Sequence, residues 1–280
     1  MYDDVLIATD GSDVAATAGT VGISLARALE ASVHVLAVAE RKRGGTAERD
    51  HREADVEALA GKARGVGCEV EPIVRTGRPA SEISTYADEI DADLVVVGTH
   101  GRTGVRQVLL GSVALEVIRE VQRPVLSVGS TASWNGSSES IEDVLLATDG
   151  WSGSTAATEH ALALAEACDA RLHALYAVDL DADVPELRQG FEEHGEKTTA
   201  TVAERATERG VEATRTVAQG PVHEVVLEHA GTDSVDLLVM GTESKSNLER
   251  LVVGSVSQRV VPSAGVPVLT VRTVDDQVSS

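Results

Sequence analysis

The strongest constraint on the fold of this chain is an internal repeat. The segment DVLIATDG at residues 4–11 returns as DVLLATDG at residues 143–150, which is 139 positions later. Near the end of each copy, PVLSV at residues 124–128 returns as PVLTV at residues 267–271, which is 143 positions later. Self-similarity over this length indicates a duplicated unit. The change in offset places four extra residues in the second copy, between its predicted second and third strands.

The two copies are joined by a segment of small and polar residues. The sequence GSTASWNGSSESI at 129–141 has the Ser and Gly content that is typical of a flexible linker. We therefore predict a first domain at 1–129, a linker at 130–141 and a second domain at 142–273.

Within the first copy, aliphatic runs alternate with longer segments of helical periodicity. The runs of strand length lie at 4–9, 33–39, 69–74, 93–98 and 124–128. The helical segments lie at about 13–30, 46–65, 79–90 and 112–121. Ser12 or Asp13 can cap the first of these helices, and Ser112 can cap the fourth. Pro79 is suited to the first turn of the third helix. This alternation predicts an α/β fold in which each domain has a five-stranded parallel sheet with helices on both faces.

The charge of the chain excludes one class of partner and suggests a salty environment. There are 24 Lys and Arg residues against 45 Asp and Glu residues, which gives a formal net charge of −21. That charge repels a phosphate backbone, so we expect no nucleic-acid partner. Only four of the basic residues are lysines. Abundant carboxylates with scarce Lys are suited to concentrated salt, and we expect a halophilic, haloarchaeal-type host.

The sequence gives no sign of a membrane segment. No apolar run approaches the roughly 18–20 residues of a membrane-spanning helix, and the start MYDD lacks the basic region of a signal peptide. The expected location is the cytoplasm, with no membrane partner. Cys68 and Cys168 have no metal-ligand spacing and are expected to be free thiols.

Two predicted strand ends in the first copy carry residues suited to ligand binding. Ligands of open α/β sheets bind beyond the carboxyl ends of the strands. Thr-Asp-Gly-Ser at 9–12 follows the first strand, and the glycine-rich segment 98–112 follows the fourth. The glycines let the backbone approach a ligand or adopt positive φ, and the helix that begins near Ser112 favours an anion. His100, Arg102 and Arg106 make this segment basic. Walker A and GxGxxG motifs are both absent.

The spacing of these glycines resembles that of a known family. Gly98, Gly101 and Gly111-Ser112 fit the pattern G-x2-G-x9-G-[ST], and with the opening and closing strand motifs the chain resembles the universal stress protein family over both copies. The resemblance implies domains like flavodoxin and the adenine-nucleotide α-hydrolases, with strand order 3-2-1-4-5. It also implies ATP, with Mg²⁺ able to accompany the phosphates, in the crevice between strands one and four. Members pair as dimers, so the two copies would pair within one chain through 124–128 and 267–271, with further homo-oligomers left open.

The resemblance assigns binding roles to residues of the first copy. Asp10 would contact the adenosine part and Val38 would border the adenine, although Asp10 could merely order its turn. The other residues would line the base and ribose pocket or surround the ribose and phosphate. They are Ala8, Val97, Gly98, His100, Gly101, Gly111, Ser112 and Val113. No catalytic residue is assigned, since a lone loop histidine such as His100 beside phosphates is expected to bind rather than catalyse.

The second copy departs from the pattern. The residues that would bind nucleotide there are Asp149, Ala177, Gly241, Gly254 and Ser255. Ser244 stands where the first copy has its second glycine, and a serine would be strained there if the backbone needs positive φ. Lys245 could restore some basic character. We expect one intact site and one degenerate site.

The remaining histidines and acidic residues do not form a pattern that indicates a metal or catalytic site. His223 and His229 are six positions apart, which does not fit a zinc site, so no metal site is predicted. His34 and His173 are expected to be structural, and the acidic residues between Glu48 and Glu57 are expected to form a charged, exposed helix face.

Three functions remain open from the sequence. The first is an ATP-responsive stress protein that is non-enzymatic or weakly hydrolytic. The second is a nucleotide-free scaffold that acts through its dimer-like surface. The third is an adenine-nucleotide hydrolase, which should carry a reactive loop of the SGGxDS type; residues 8–13 read ATDGSD and do not supply it.

Overall fold

The alternation of strands and helices is present in both halves of the chain. A computed structural model describes residues 1–40, 45–101, 110–132, 134, 141–179, 185–232, 234–242 and 254–272. The elements of the first half are β1 (Asp4–Thr9), α1 (Asp13–Ala28), β2 (Ser32–Ala39), α2 (Gly45–Gly65), β3 (Val70–Thr76), α3 (Pro79–Glu89), β4 (Leu94–Gly98), α4 (Ser112–Glu120) and β5 (Val125–Val128). The elements of the second half are β6 (Asp143–Ala147), α5 (Ser152–Cys168), β7 (Arg171–Val178), α6 (Pro185–Glu208), β8 (Ala213–Gln219), α7 (Val222–Ala230), β9 (Leu237–Gly241), α8 (Ser255–Val260) and β10 (Val268–Val271).

The ten strands found in the described residues belong to one continuous sheet. Their order is β3-β2-β1-β4-β5-β10-β9-β6-β7-β8, so each half has the order 3-2-1-4-5. Pairing within each half is parallel, and the two halves meet where β5 and β10 pair antiparallel with Leu126 opposite Leu269. The predicted tandem α/β architecture is confirmed.

The aliphatic strands are buried because both faces of the sheet are covered by helices. In β1, Val5 and Ile7 pack into one core with α1 and α2, whereas Leu6 packs into the opposite core with residues of α3 and α4. Continuous apolar runs are expected when a strand is buried on both faces. The described residues include no helix that combines the length and apolar character needed to cross a membrane.

The helix starts follow from local residues, with one correction. Ser12 caps α1, since its Oγ accepts a hydrogen bond from the Ala15 backbone N at 3.2 Å, and Pro79 is the first residue of α3. The prediction that Ser112 caps α4 is wrong. Gly111 is the capping residue and Ser112 is the first residue of the helix, so no side chain caps the helix start.

Candidate functional site

A cavity of about 250 Å³ opens at the carboxyl ends of β1 and β4 in the first half. Parallel strands bring these ends to one edge of the sheet, and the strand order reverses between β1 and β4. All ten residues predicted for the first copy line this cavity, namely Ala8, Asp10, Val38, Val97, Gly98, His100, Gly101, Gly111, Ser112 and Val113.

Asp10 shapes the turn that follows β1 and also lies beside the glycine-rich segment. Its Oδ1 accepts a hydrogen bond from the Ser12 backbone N at 3.0 Å. The turn requires a positive φ of 75° at Gly11, where a Cβ would also lie 2.4 Å from Asp55 Oδ2. The other carboxylate oxygen, Oδ2, would be 2.7 Å from a Cβ at Gly101. Asp10 therefore both orders its turn and presents an oxygen toward the segment that follows β4.

The glycines of the cavity are needed for space rather than for positive φ. None of Gly98, Gly101 and Gly111 has positive φ, so of the two roles expected for glycine in this segment, positive φ does not apply to these three. A Cβ at Gly111 would lie 2.9 Å from the Thr99 carbonyl oxygen, whereas the Gly111 backbone N donates to that same oxygen at 2.7 Å. A side chain at Gly111 would press against the backbone at Thr99, and one at Gly101 would press against the Asp10 carboxylate.

The start of α4 faces the cavity without a side-chain cap. Gly111 makes no side-chain capping bond, and Ser112 and Val113 line the cavity at the first turn of a nine-residue helix. The first backbone N–H groups of a helix have no partner within the helix, and the helix dipole favours negative charge there. This end of the cavity is suited to an anion.

His100 is held by its neighbour. Its Nδ1 lies 2.9 Å from Thr99 Oγ1, and its buried Nε2 has no hydrogen-bond partner among the described residues. The other basic residues predicted for this loop, Arg102 and Arg106, lie outside the described residues.

Sequence reasoning missed Arg52, which lines the same cavity from α2. Its side chain is 7% exposed and forms ion pairs with Glu48 at 2.8 Å and Asp55 at 3.1 Å. Its Nη1 also donates to the Asp10 carbonyl oxygen. The prediction of a charged, exposed face is therefore wrong for Glu48 and Asp55, whose side chains are 15% exposed. The i and i+4 spacing of Glu48 and Arg52, together with Asp55 at i+3, was the available signal.

A second cavity of about 260 Å³ occupies the equivalent place in the second half. Its lining includes all five residues predicted there, namely Asp149, Ala177, Gly241, Gly254 and Ser255. Asp149 Oδ1 accepts hydrogen bonds from the Trp151 backbone N at 3.0 Å and from Ser154 Oγ at 2.7 Å. Ser244 and Lys245 lie outside the described residues.

The histidines set aside by the sequence have structural partners. His34 bonds to Asp4 at 3.2 Å and to Tyr86 at 3.0 Å, and His173 bonds to Asp143 at 2.6 Å. His229 Nδ1 lies 2.8 Å from the Val225 carbonyl oxygen on its own helix. Across the part of the chain that the structure describes, no group of three or more His, Cys, Asp or Glu side chains is placed to hold a metal ion.

Comparison with solved structures supports the fold. A crystal structure of a universal stress protein from Archaeoglobus fulgidus superposes with a TM-score of 0.75 and 19% sequence identity, covering 98% of each chain. A protein of Pseudomonas aeruginosa, described as functionally unknown, superposes with a TM-score of 0.70 at 16% identity, covering 97% of this chain and 93% of the other. At these identities the likeness concerns the fold alone.

Comparison of sequences identifies the family. Universal stress protein MJ0531 of Methanocaldococcus jannaschii is 36% identical over 138 residues, which are 46% of this chain and 81% of that protein. A universal stress protein of Mycolicibacterium smegmatis is 33% identical over 190 residues, covering 65% of this chain and 62% of that protein. The profile of the universal stress protein family matches residues 1–129 and again residues 140–272. The chain therefore belongs to the universal stress protein family and carries two copies of its domain in tandem.

Proposed function

We propose that the first cleft binds an adenine nucleotide, ATP in the first instance, and that the protein is a nucleotide-responsive regulator in the stress response. The observation that carries this proposal is the cavity of about 250 Å³ that the ten predicted residues line, with Gly101 and Gly111 at its border. A Cβ at either glycine would come within 3 Å of an oxygen atom, 2.7 Å at Gly101 and 2.9 Å at Gly111. Glycine at these two positions therefore lets the turn at Asp10 and the start of α4 lie close to the segment after β4, and all three segments border the cavity.

Each wall of the cleft has a role in this proposal. Ala8, Val38 and Val97 form an apolar slot for the base. The Asp10 carboxylate accepts hydrogen bonds from ribose hydroxyl groups. The backbone N–H groups of Ser112 and Val113 donate to phosphate oxygens, and backbone donors can hold phosphates without a lysine.

Binding rather than turnover is the proposed activity. His100 is the titratable ring in the described lining of the cleft, and its Nδ1 is engaged by Thr99. Mg²⁺ would be carried by the phosphates, because this ion commonly keeps several waters and uses few protein ligands. We therefore expect hydrolysis of ATP to be slow or absent.

The test is a thermal-shift series with ATP, ADP and AMP in concentrated KCl, with and without Mg²⁺. A ligand at 100 times its dissociation constant adds about 2.7 kcal/mol to the free energy of unfolding, which gives a clear rise in melting temperature. The absence of a shift with all three nucleotides would remove the proposal. The identity and molar ratio of any nucleotide that co-purifies would provide independent support.

A nucleotide-free scaffold is the second candidate, and one surface favours it. Leu187 and Phe191 lie four residues apart on α6, and the two residues are 54% and 47% exposed. Large apolar side chains that share an exposed helix face are typical of contact surfaces. The scaffold role predicts that Gly101→Val and Gly111→Val leave the cellular function intact, whereas the nucleotide role predicts that both abolish it.

Two further properties belong to the proposal. We propose that the domains run from 1 to 129 and from 142 to 273, and that the antiparallel pairing of β5 and β10 is the intramolecular equivalent of a dimer contact. We also propose that the formal charge of −21 reflects a salt-rich environment. Loss of cooperative unfolding after dialysis into low salt is expected, and an unchanged melting curve would contradict it.

A further inference from the structure

The turn after the first strand of each half is held by a helix that lies beside it. In the first half, Arg52 Nη1 donates a hydrogen bond to the Asp10 carbonyl oxygen. The Asp55 carboxylate packs so closely against Gly11 that a Cβ there would overlap it. Arg52 and Asp55 both belong to α2. The turn that carries Asp10 is therefore fixed by one turn of this helix.

The second half makes the same contact with an imidazole and a hydroxyl group. His194 Nε2 lies 3.1 Å from the Asp149 carbonyl oxygen, and a Cβ at Gly150 would lie 2.6 Å from Thr198 Oγ1. Thr198 follows Asp55 by 143 positions, which is the offset of the later part of the repeat. Two such groups are thus sufficient to hold the turn. The fold by itself does not require an arginine with two carboxylates at this place.

The charged cluster of the first half is nearly buried. The Arg52 side chain is 7% exposed, and those of Glu48 and Asp55 are each 15% exposed. Replacing a buried ion pair with uncharged groups of similar size is often neutral or stabilising, because removing charges from water costs free energy. Stability is therefore a weak reason for these charges. Arg52 lines the first cavity, whereas Gly195, which stands 143 positions later, is not among the lining residues of the second.

The guanidinium group of Arg52 has a fixed orientation. Its Nε and Nη2 both donate to Glu48 Oε1, at 3.1 and 2.8 Å. Its Nη1 donates to Asp55 Oδ2 at 3.1 Å as well as to the Asp10 carbonyl oxygen. A planar group that carboxylates hold at both ends presents its donors in set directions. The Asp10 carbonyl oxygen therefore has its donor in place before any ligand arrives.

The Asp10 residue is consequently fixed at two points. Its backbone is tied to Arg52, and its Oδ1 accepts a hydrogen bond from the Ser12 backbone N at 3.0 Å. The other carboxylate oxygen, Oδ2, lies at the cavity wall, 2.7 Å from the place of a Cβ at Gly101. An acceptor in a fixed place distinguishes ligands that carry a matching donor, because a ligand without the donor forfeits that hydrogen bond.

We propose that Arg52 is a positioning residue that sets the preference of the first cleft for ribose over sugars without hydroxyl groups, a role that rests on the proposed function. Arg52 holds the turn, the turn holds the Asp10 carboxylate, and the carboxylate accepts from the ribose hydroxyl groups. The cleft thus distinguishes ATP from 2′,3′-dideoxy-ATP, which lacks both hydroxyl groups. Arg52 acts on the ribose only through Asp10.

The test compares the dissociation constants of ATP and 2′,3′-dideoxy-ATP by calorimetry in concentrated KCl. The starting protein is the full chain with Ala177→Phe, which fills the second cavity. It should bind ATP at least tenfold more tightly than the dideoxy analogue. Arg52→Gln should weaken ATP binding and leave binding of the analogue nearly unchanged, so that the ratio falls below threefold. Arg52→Lys should give an intermediate ratio, because an ammonium group keeps the charge and loses the fork of donors.

Two controls separate positioning from a loss of stability. Arg49→Gln removes the same kind of side chain from the same helix, where it pairs with Glu53 and is about half exposed. Leu59→Ala weakens the packing of α2 on α1, since Leu59 is 5% exposed and lies against Gly19. Both variants should keep the tenfold ratio. A ratio that falls as far in Leu59→Ala as in Arg52→Gln would overturn the role of Arg52, because any loosening of α2 would then suffice.

The outcomes also separate this role from nucleotide binding itself. Binding of neither nucleotide by the starting protein contradicts both. Equal binding of ATP and the analogue, or an unchanged ratio in Arg52→Gln, overturns the role of Arg52 and leaves nucleotide binding in place. If Arg52→Gln does not fold, the double variant Glu48→Gln with Arg52→Gln removes one charge of each sign. Its ratio should also fall below threefold, and a tenfold ratio would overturn the role.

Discussion

The guanidinium group of Arg52 donates a hydrogen bond to the backbone carbonyl oxygen of Asp10, and so ties α2 to the turn after β1. This contact brings a helix that starts beyond β2 to the wall of the first cleft. Glu48 and Asp55 hold the guanidinium group from either side, at 2.8 and 3.1 Å. The position of Asp10 therefore depends on the charged cluster that Arg52 forms with Glu48 and Asp55.

Arg52→Ala should destabilise the protein and weaken nucleotide binding. Removing the guanidinium group leaves two carboxylates close together with little contact with water. We expect the free energy of unfolding to fall by about 2 kcal/mol, less than the roughly 3–5 kcal/mol of a fully buried pair. Urea unfolding measures the loss. The matched control is Arg49→Ala, whose pair with Glu53 is about half exposed, so its loss should stay below about 1 kcal/mol. Equal losses for the two variants would contradict the prediction.

Gly111→Val should reduce the stabilisation by ATP. The new Cβ would lie 2.9 Å from the Thr99 carbonyl oxygen, which forces the start of α4 to move. We expect at least a tenfold rise in the ATP dissociation constant, a loss of about 1.4 kcal/mol in binding free energy, measured by thermal shift. Gly61→Ala is the control, since a Cβ at Gly61 meets nothing within 4 Å. That change should preserve the shift and add about 1 kcal/mol of helix stability.

Asp143 should make stability depend on acid pH. Burial alone would raise the pKa of this carboxyl group, but hydrogen bonds from His173 and Arg171 outweigh it and hold the pKa below the ordinary value of 3.8. The ionised carboxylate therefore stabilises the folded state above about pH 4, and this contribution is lost as the pH falls through the lowered pKa. Asp143→Asn should lower the free energy of unfolding by about 2 kcal/mol at neutral pH. It should also make the free energy of unfolding depend less on pH in the acid range.

The first half supplies the control for Asp143. Asp4→Asn changes the equivalent residue, whose side chain is 37% exposed against 4% for Asp143. A smaller loss is expected because water can replace the lost hydrogen bonds. If Asp4→Asn lowers the free energy of unfolding as much as Asp143→Asn does, burial is not the reason for the loss.

His160 should make stability fall at mildly acid pH. The Tyr2 hydroxyl group lies 2.6 Å from His160 Nδ1, and the contact joins the first strand region to α5 of the other half. Burial lowers the pKa of His160 below its ordinary value of 6.5, despite the opposing charges of Glu159 and Asp93. The unfolded chain therefore binds a proton at a higher pH than the folded protein does. The contribution of neutral His160 to the stability of the fold is therefore complete above pH 6.5, and it is lost as the pH drops below that value.

Two variants measure this contact between the halves. His160→Gln should reduce the slope of melting temperature against pH between about pH 5 and pH 7, and an unchanged slope would refute the assignment. Tyr2→Phe should cost about 1 kcal/mol at pH 8, because His160 loses its hydrogen-bond partner. Tyr86→Phe, which removes a similar bond to His34 within one half, is the matched comparison.

The secondary structure could be predicted closely because it depends on local periodicity. The predicted strand at 4–9 matches β1, and the predicted helix at 79–90 differs from α3 by one residue. Aliphatic runs bounded by glycine and helical segments bounded by caps each report on a few neighbouring residues. The predicted cap of α4 was wrong by one residue, because this boundary depends on a contact that is not local. Whether Ser112 or Gly111 ends the loop depends on the bond from Gly111 to Thr99, which no local pattern encodes.

The candidate site was only partly accessible from the sequence. The glycine spacing and the residues after β1 and β4 led to ten side chains that surround one cavity. Arg52 was missed because it lies far along the chain from those motifs and reaches the first cleft only through the packing of α2. The physical reason for a glycine at position 101 was also missed. It is the nearness of the Asp10 carboxylate rather than the backbone angle.

The sequence by itself determined the duplication, the order of helices and strands and the place of the glycine-rich segment, because each of these is written in residues that are neighbours along the chain. Only the tertiary structure decided that β5 and β10 join ten strands into one sheet and that the two clefts have unlike walls. Strand pairing and cleft walls arise between residues far apart in the chain, where the alignment of hydrogen bonds and the packing of side chains select one arrangement among many.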